Sequence, residues 1–68
     1  MNVMDLENER GELKYRLDNL LVFLNEQKEK QTVSDYQLRL LDKQYMYMYC
    51  YMRILCQRIK YLDLGREL

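Results

Sequence analysis

The sequence predicts an all-α protein: a helix–linker–helix hairpin that assembles with copies of itself into a homo-oligomeric helical bundle. Three observations carry that expectation. Two segments repeat apolar residues at spacings of three, four and seven, the pattern of a helix with one greasy stripe. Proline is absent and glycine occurs only twice, so long helices run without an obligatory break. The chain has 68 residues, near the lower limit for a self-sufficient core, so it needs a further source of stability.

The first helix is expected over about residues 5–26, with room for a short extra helical turn at its N-terminal side. Leu6, Leu13, Leu17, Leu20 and Leu24 share one heptad frame. Arg10 takes the position in that frame between Leu6 and Leu13. Leu21 and Phe23 widen the stripe. Asp5, Glu7 and Glu9 fall in the first turns, where acids suit the positive end of a helix. Gly11 costs the helix about 1 kcal/mol relative to alanine, which points to a close packing contact or a bend.

The linker is expected over about 27–33, within a polar run (NEQKEKQTV) in which Lys28 and Lys30 are the basic groups. Glutamate, glutamine and lysine are good helix formers, so part of this run can extend the first helix. The second helix is expected over about 35–64. Ser34 followed by Gln37 matches a capping box, and Val33 and Leu38 stand at the two staple positions around it. Gly65 is placed to stop it.

Along the second helix, Leu38, Leu41, Tyr45, Met48, Met52, Leu55, Ile59 and Leu62 alternate spacings of three and four without a break. A second stripe holds Leu40, Tyr47, Tyr51, Ile54 and Tyr61. One partner helix cannot cover both stripes, so the second is expected to bury against another copy of the chain. The run from Tyr45 to Met52 also alternates tyrosine at period two, a strand pattern. A strand is rejected because both alternating sets are apolar, no turn residue bounds the run, and the heptad frame passes through it.

The composition excludes several classes of function. Eleven basic residues balance eleven acidic ones, which argues against a duplex nucleic acid partner. The longest uncharged stretch of the second helix, Gln44 to Met52, is far short of the roughly 20 residues that span a membrane. Cys50 and Cys56 project about 240° apart on a helix, so a bridge between them is not expected. With no histidine and no ligand spacing, neither is a metal site or a cofactor. Free cysteines with no signal peptide point to a reducing cytoplasm. No nucleophile elbow, phosphate loop or paired carboxylate is present, so the chain is not expected to be an enzyme.

What remains is binding. Lys28 and Lys30 lie close to the start of the second helix, where free amides favour an anion. Arg10 in a leucine stripe needs either an acid from a neighbouring chain or an anionic ligand, because an unpaired buried charge costs several kcal/mol. Arg58 shares the second stripe with tyrosines, and the pair of groups suits phosphate and base recognition or a surface ion pair. The tyrosine–methionine run is either an adaptable binding surface or a helix buried on several sides in an oligomer.

Two segments carry a family resemblance. ERGELKYRLDNLLVFL has the pattern E-L-x-x-R-L-x-x-L-x-x-F-[IL], through Glu12, Leu13, Arg16, Leu17, Leu20, Phe23 and Leu24. LLDKQYMYMYCYMRILCQRI has M-x-x-Y-x-x-[IL]-L-x-x-R-[IV], through Met48, Tyr51, Ile54, Leu55, Arg58 and Ile59. Together they resemble a family of small helical bacteriophage proteins, the anti-CBASS sponges that sequester cyclic oligonucleotide messengers of bacterial immunity. The resemblance implies a homohexamer acting in the host cell cytoplasm, with ligand pockets between protomers. It implies a cyclic dinucleotide pocket built on an early aromatic residue and a lysine just after the phenylalanine; those positions are Arg10 and Asn25 here, a departure at both. Tyr15, Lys28 and Lys30 offer suitable chemistry nearby. It further implies a cyclic trinucleotide pocket where three protomers meet, with Arg58 as its matching residue. The alternative is a non-catalytic adapter or structural protein that binds a host or phage protein through its apolar helical surface.

Overall fold

The structure is a computed structural model that describes residues 2–64. It is an all-α hairpin of two helices, α1 (Val3–Glu29) and α2 (Asp35–Asp63). A connection this short makes the helices antiparallel neighbours. They lie side by side as a rod of 48 × 16 × 15 Å, close to the length of either helix at 1.5 Å per residue.

Both helices start on side-chain caps. Asn2 holds an extended backbone, and its Oδ1 accepts from the Asp5 amide at 2.9 Å. This cap was not read from the sequence, and it sets the start of α1 two residues before the expected Asp5. At α2, Ser34 is extended and its Oγ accepts from the Gln37 amide at 3.1 Å. Val33 and Leu38, the expected staple, are both half-buried. The reinforcement at this cap comes from Gln31, whose Nε2 donates to Asp35 Oδ1 at 2.7 Å and to the Val33 carbonyl at 2.8 Å. α2 closes at Leu64, whose amide donates to the Lys60 carbonyl at 3.1 Å. The expected stop, Gly65, lies outside the described residues.

The linker is shorter than expected. Residues 27–29 belong to α1, and Lys30 is its C-terminal cap, with an amide that donates to the Glu26 carbonyl at 2.9 Å. The physical reason is Gln27. Three residues beyond Leu24, it takes the next position in the leucine frame and is only 7% exposed. Its Oε1 accepts from the amides of Thr32 (2.8 Å) and Val33 (3.2 Å), and its Nε2 donates to Thr32 Oγ1 at 2.7 Å. One side chain thereby ties the linker backbone back onto α1.

The seam follows the heptad frames. Leu6, Leu13, Leu17, Leu55 and Ile59 form its buried cluster, with Val3, Tyr45, Met48, Met52 and Leu62 packed against it. Leu24 is buried nearer the turn, while Leu20 and Phe23 are half-buried and Leu21 is exposed. The Tyr45–Met52 run is helical throughout, as the frame requires. Every member of the second stripe is exposed: Leu40, Tyr47, Tyr51, Ile54 and Tyr61. The hairpin therefore buries one stripe of α2 and leaves the other to solvent. Among the described residues no helix is long and apolar enough to cross a membrane.

Candidate functional site

The leucine frame of α1 is interrupted by polar residues at Arg10 and Gln27. Gln27 is satisfied within the hairpin. Arg10 is half-buried, and among the described residues its Nη1 reaches only the thiol of Cys56, at 4.0 Å. Sulfur is a weak acceptor, so a donor-rich guanidinium stands at the seam with most of its hydrogen-bonding capacity unspent. It shares a frame with Leu6 and Leu13, and the sequence gives it no alternative face.

Arg10 lies on a groove of ≈ 600 Å³ between the helices, a size suited to a small-molecule ligand. From α1 the groove takes Arg10, Gly11 and Lys14; from α2 it takes Tyr45, Tyr49 and Met52. Tyrosines offer flat faces with polar tips, and methionine adapts its shape to what lies on it. Two acids, Glu7 and Asp18, also border the groove, so it is mixed in charge rather than basic. Lys14 Nζ bridges Asp18 Oδ2 at 2.9 Å, but the two side chains are 69% and 62% exposed. A bridge that open is worth a few tenths of a kcal/mol and is readily exchanged for another anion.

Gly11 has no packing role within the hairpin. A Cβ added there would meet nothing within 4 Å. α1 continues through it without a break, and the close contact expected from the sequence is not made among the described residues. The glycine opens the helix surface on two sides. One is the groove above. The other is a shallow depression on the outer side of α1, where Tyr15 stands with Glu12 and Arg16.

The remaining sequence-predicted residues are dispersed. Tyr15 is 70% exposed. Asn25, Lys28 and Lys30 are exposed near the turn. Lys28 borders a hollow of ≈ 280 Å³ with Gln31, Leu38 and Asp42. Arg10 and Lys28 are separated by 18 residues of one helix, about 27 Å, too far to hold the same small ligand within one protomer. The expected anion site at the start of α2 is also compromised. Asp35 puts a carboxylate in the first turn, and Ser34 already accepts from an α2 amide. Arg58 is half-buried on α2 and engaged in an interaction of its own, as is Tyr61. Of the six candidates, the structure places Arg10 on the groove formed by both helices.

Sequence reasoning missed Gly11 as an opening and Tyr49 as a wall. Tyr49 lies four residues after Tyr45, one turn along the edge of the seam, which is the signal that marks it. Cys50 and Cys56 are free and exposed. Among the described residues no cluster of histidine, cysteine and acid could hold a metal ion.

Among curated proteins and among solved structures no match is found. The family model for Sequestin matches residues 2–61, from the cap of α1 through all but the last two residues of α2, and the chain belongs to the Sequestin family.

Proposed function

We propose that this chain is a bacteriophage immune-evasion protein. It sequesters cyclic oligonucleotide messengers (cyclic dinucleotides, trinucleotides or both) in pockets between protomers, and so blocks CBASS-type signalling in the host cell cytoplasm. The observation that carries the reading is the match over residues 2–61 to a family named for sequestration. Such a protein performs no reaction. It needs affinity and abundance, which agrees with a sequence that offers no catalytic constellation.

Assembly is supported by area. The accessible surface is 5627 Å², whereas a compact monomer of this mass exposes about 4,700 Å². The excess, about 900 Å², reflects the elongated rod, which leaves surface available for burial against other copies. The exposed stripe Leu40, Tyr47, Tyr51, Ile54 and Tyr61 supplies the apolar part of that surface. A homohexamer repeats one short chain into several equivalent pockets.

The ligand class is supported by the chemistry on offer. A cyclic oligonucleotide presents phosphates and flat bases; recognition needs cationic donors for the former and aromatic faces for the latter. Arg10, Tyr15, Lys28, Lys30 and Arg58 provide both kinds, and Asn25 adds a neutral amide. Because Arg10 and Lys28 are about 27 Å apart on α1, a pocket that uses both must draw them from different protomers.

Calorimetric titration with cyclic di-AMP, cyclic di-GMP, cyclic GMP–AMP and cyclic tri-AMP, with the mass measured in solution, tests the reading. Heat at micromolar concentration from an oligomeric protein supports it. An oligomer that gives no heat with any member overturns it. Recovery of a stoichiometric protein partner from infected-cell lysate by that unresponsive protein would favour the adapter.

A further inference from the structure

We propose that the wall each protomer contributes to the capture pocket is the groove between α1 and α2, and that Gly11 is its floor. A flat nucleobase lies over Gly11 against Tyr45 and Tyr49, and the adjoining phosphate edge is held by Arg10. This inference rests on the sequestering function proposed above and specifies its site.

Separate observations converge on the groove. The first is the unspent guanidinium. Of the polar residues that interrupt the leucine frame, Gln27 uses both ends of its amide within the chain, while among the described residues Arg10 reaches only a thiol at 4.0 Å. A half-buried arginine with so weak a partner offers a fork of donors suited to the two oxygens of a phosphate. The second is the glycine beside it. Gly11 lowers helix stability by about 1 kcal/mol, yet nothing in the hairpin occupies the space its missing Cβ leaves. Gly11 also lines the groove, next to Arg10 in sequence and together with Tyr45 and Tyr49.

The charge of the groove narrows the ligand. Glu7 and Asp18 stand on it together with Arg10 and Lys14, so a densely charged chain such as a polyphosphate meets repulsion as well as attraction. A ligand with a single phosphate edge next to a flat uncharged body fits this mixture. One nucleotide unit of a cyclic oligonucleotide has that form, with the phosphate on Arg10 and the body on tyrosine and methionine.

The groove is also independent of the surface left for assembly. At about 100° per residue, the edge of α2 that carries Tyr45, Tyr49, Met52 and Cys56 lies roughly 170° from the centre of the Tyr47, Tyr51, Ile54 and Tyr61 stripe. A contact that covers the stripe therefore does not fill the groove, which stays free for a ligand and for the protomer that closes the pocket over it.

The test compares Gly11→Ala and Arg10→Gln with the unaltered protein, by titration with the same cyclic nucleotide panel and by mass in solution. Gly11→Ala cannot fail by misfolding through a clash, because its methyl enters empty space and the helix gains propensity. The expected result is a loss of affinity of about tenfold or more in each variant, with mass and helicity unchanged. Unchanged affinity in both variants, while the parent protein still binds, removes the groove and leaves the sequestering function standing. A changed mass in Gly11→Ala makes the glycine a packing contact between copies and overturns the proposal. Absence of binding in the parent oligomer removes the function and the site together.

Discussion

Gln27 and Arg10 both interrupt the leucine frame of α1, toward opposite ends of the helix, and the hairpin treats them in opposite ways. Gln27 is buried, and its amide donates once and accepts twice, all to residues of the linker it fastens. Arg10 is half-buried beside a thiol and borders open space. A polar residue in an apolar seam costs desolvation unless its partners come with it. At Gln27 the chain brings those partners back within a few residues. At Arg10 the described residues bring only a thiol, and the half-exposed guanidinium keeps donors for water or a ligand. The difference separates a polar residue satisfied within the fold from one that keeps donors for the ligand proposed above.

That difference can be broken experimentally, with stability measured by denaturant at one fixed protein concentration because assembly is linked to folding. The largest effect belongs to the seam both residues interrupt. Leu55 is fully buried, so Leu55→Ala is expected to cost about 3 kcal/mol through lost transfer energy and the cavity left behind. A loss below about 1 kcal/mol would mean the seam is not packed as described. Gln27→Leu comes next. It supplies hydrocarbon but strands the amides of Thr32 and Val33, and a net loss of about 2 kcal/mol is expected. Gain of stability there would erase the contrast. Arg10→Leu carries the opposite sign. It extends the apolar frame and removes a charge without a good partner, so a gain of about 1 kcal/mol is expected together with loss of ligand capture.

How much of this was legible in the sequence follows from which interactions are local. The start of α2 was readable because Ser34, Gln37, Val33 and Leu38 signal within five residues of one another. The seam of α2 was readable because its eight positions repeat one rule. The start of α1 was missed although Asn2 and Asp5 form the same kind of cap. Gln27 was assigned to a polar linker because composition outweighed position; continuing the leucine frame by three residues lands on it. At the candidate site, Arg10 stood out as an arginine among leucines. Its groove did not, because Tyr45 and Tyr49 lie about 35 residues away, and only the register of the two helices brings them alongside. The emptiness beside Gly11 is a property of the folded surface, so the sequence could only mark the glycine as unusual.

The smallest expected effect sharpens the contrast most. Lys14 lies one helical turn after Arg10 and borders the same groove, but it already holds a carboxylate, Asp18, at 2.9 Å. Both side chains of that bridge are largely in water, where the Coulomb gain nearly cancels against the entropy of fixing them. Lys14→Gln is therefore expected to change stability by less than about 0.5 kcal/mol. It is also expected to weaken capture of a cyclic nucleotide only a few-fold, since Asp18 competes for the ammonium and Arg10 keeps the fork geometry that a point charge lacks. The comparison to make is Lys14→Gln against Arg10→Gln at two salt concentrations. If the two variants lose equal affinity, and both losses shrink with salt, the groove attracts anions by general charge. If Arg10→Gln loses far more and keeps that loss at high salt, the guanidinium makes a specific, desolvated contact, as its place in the seam requires.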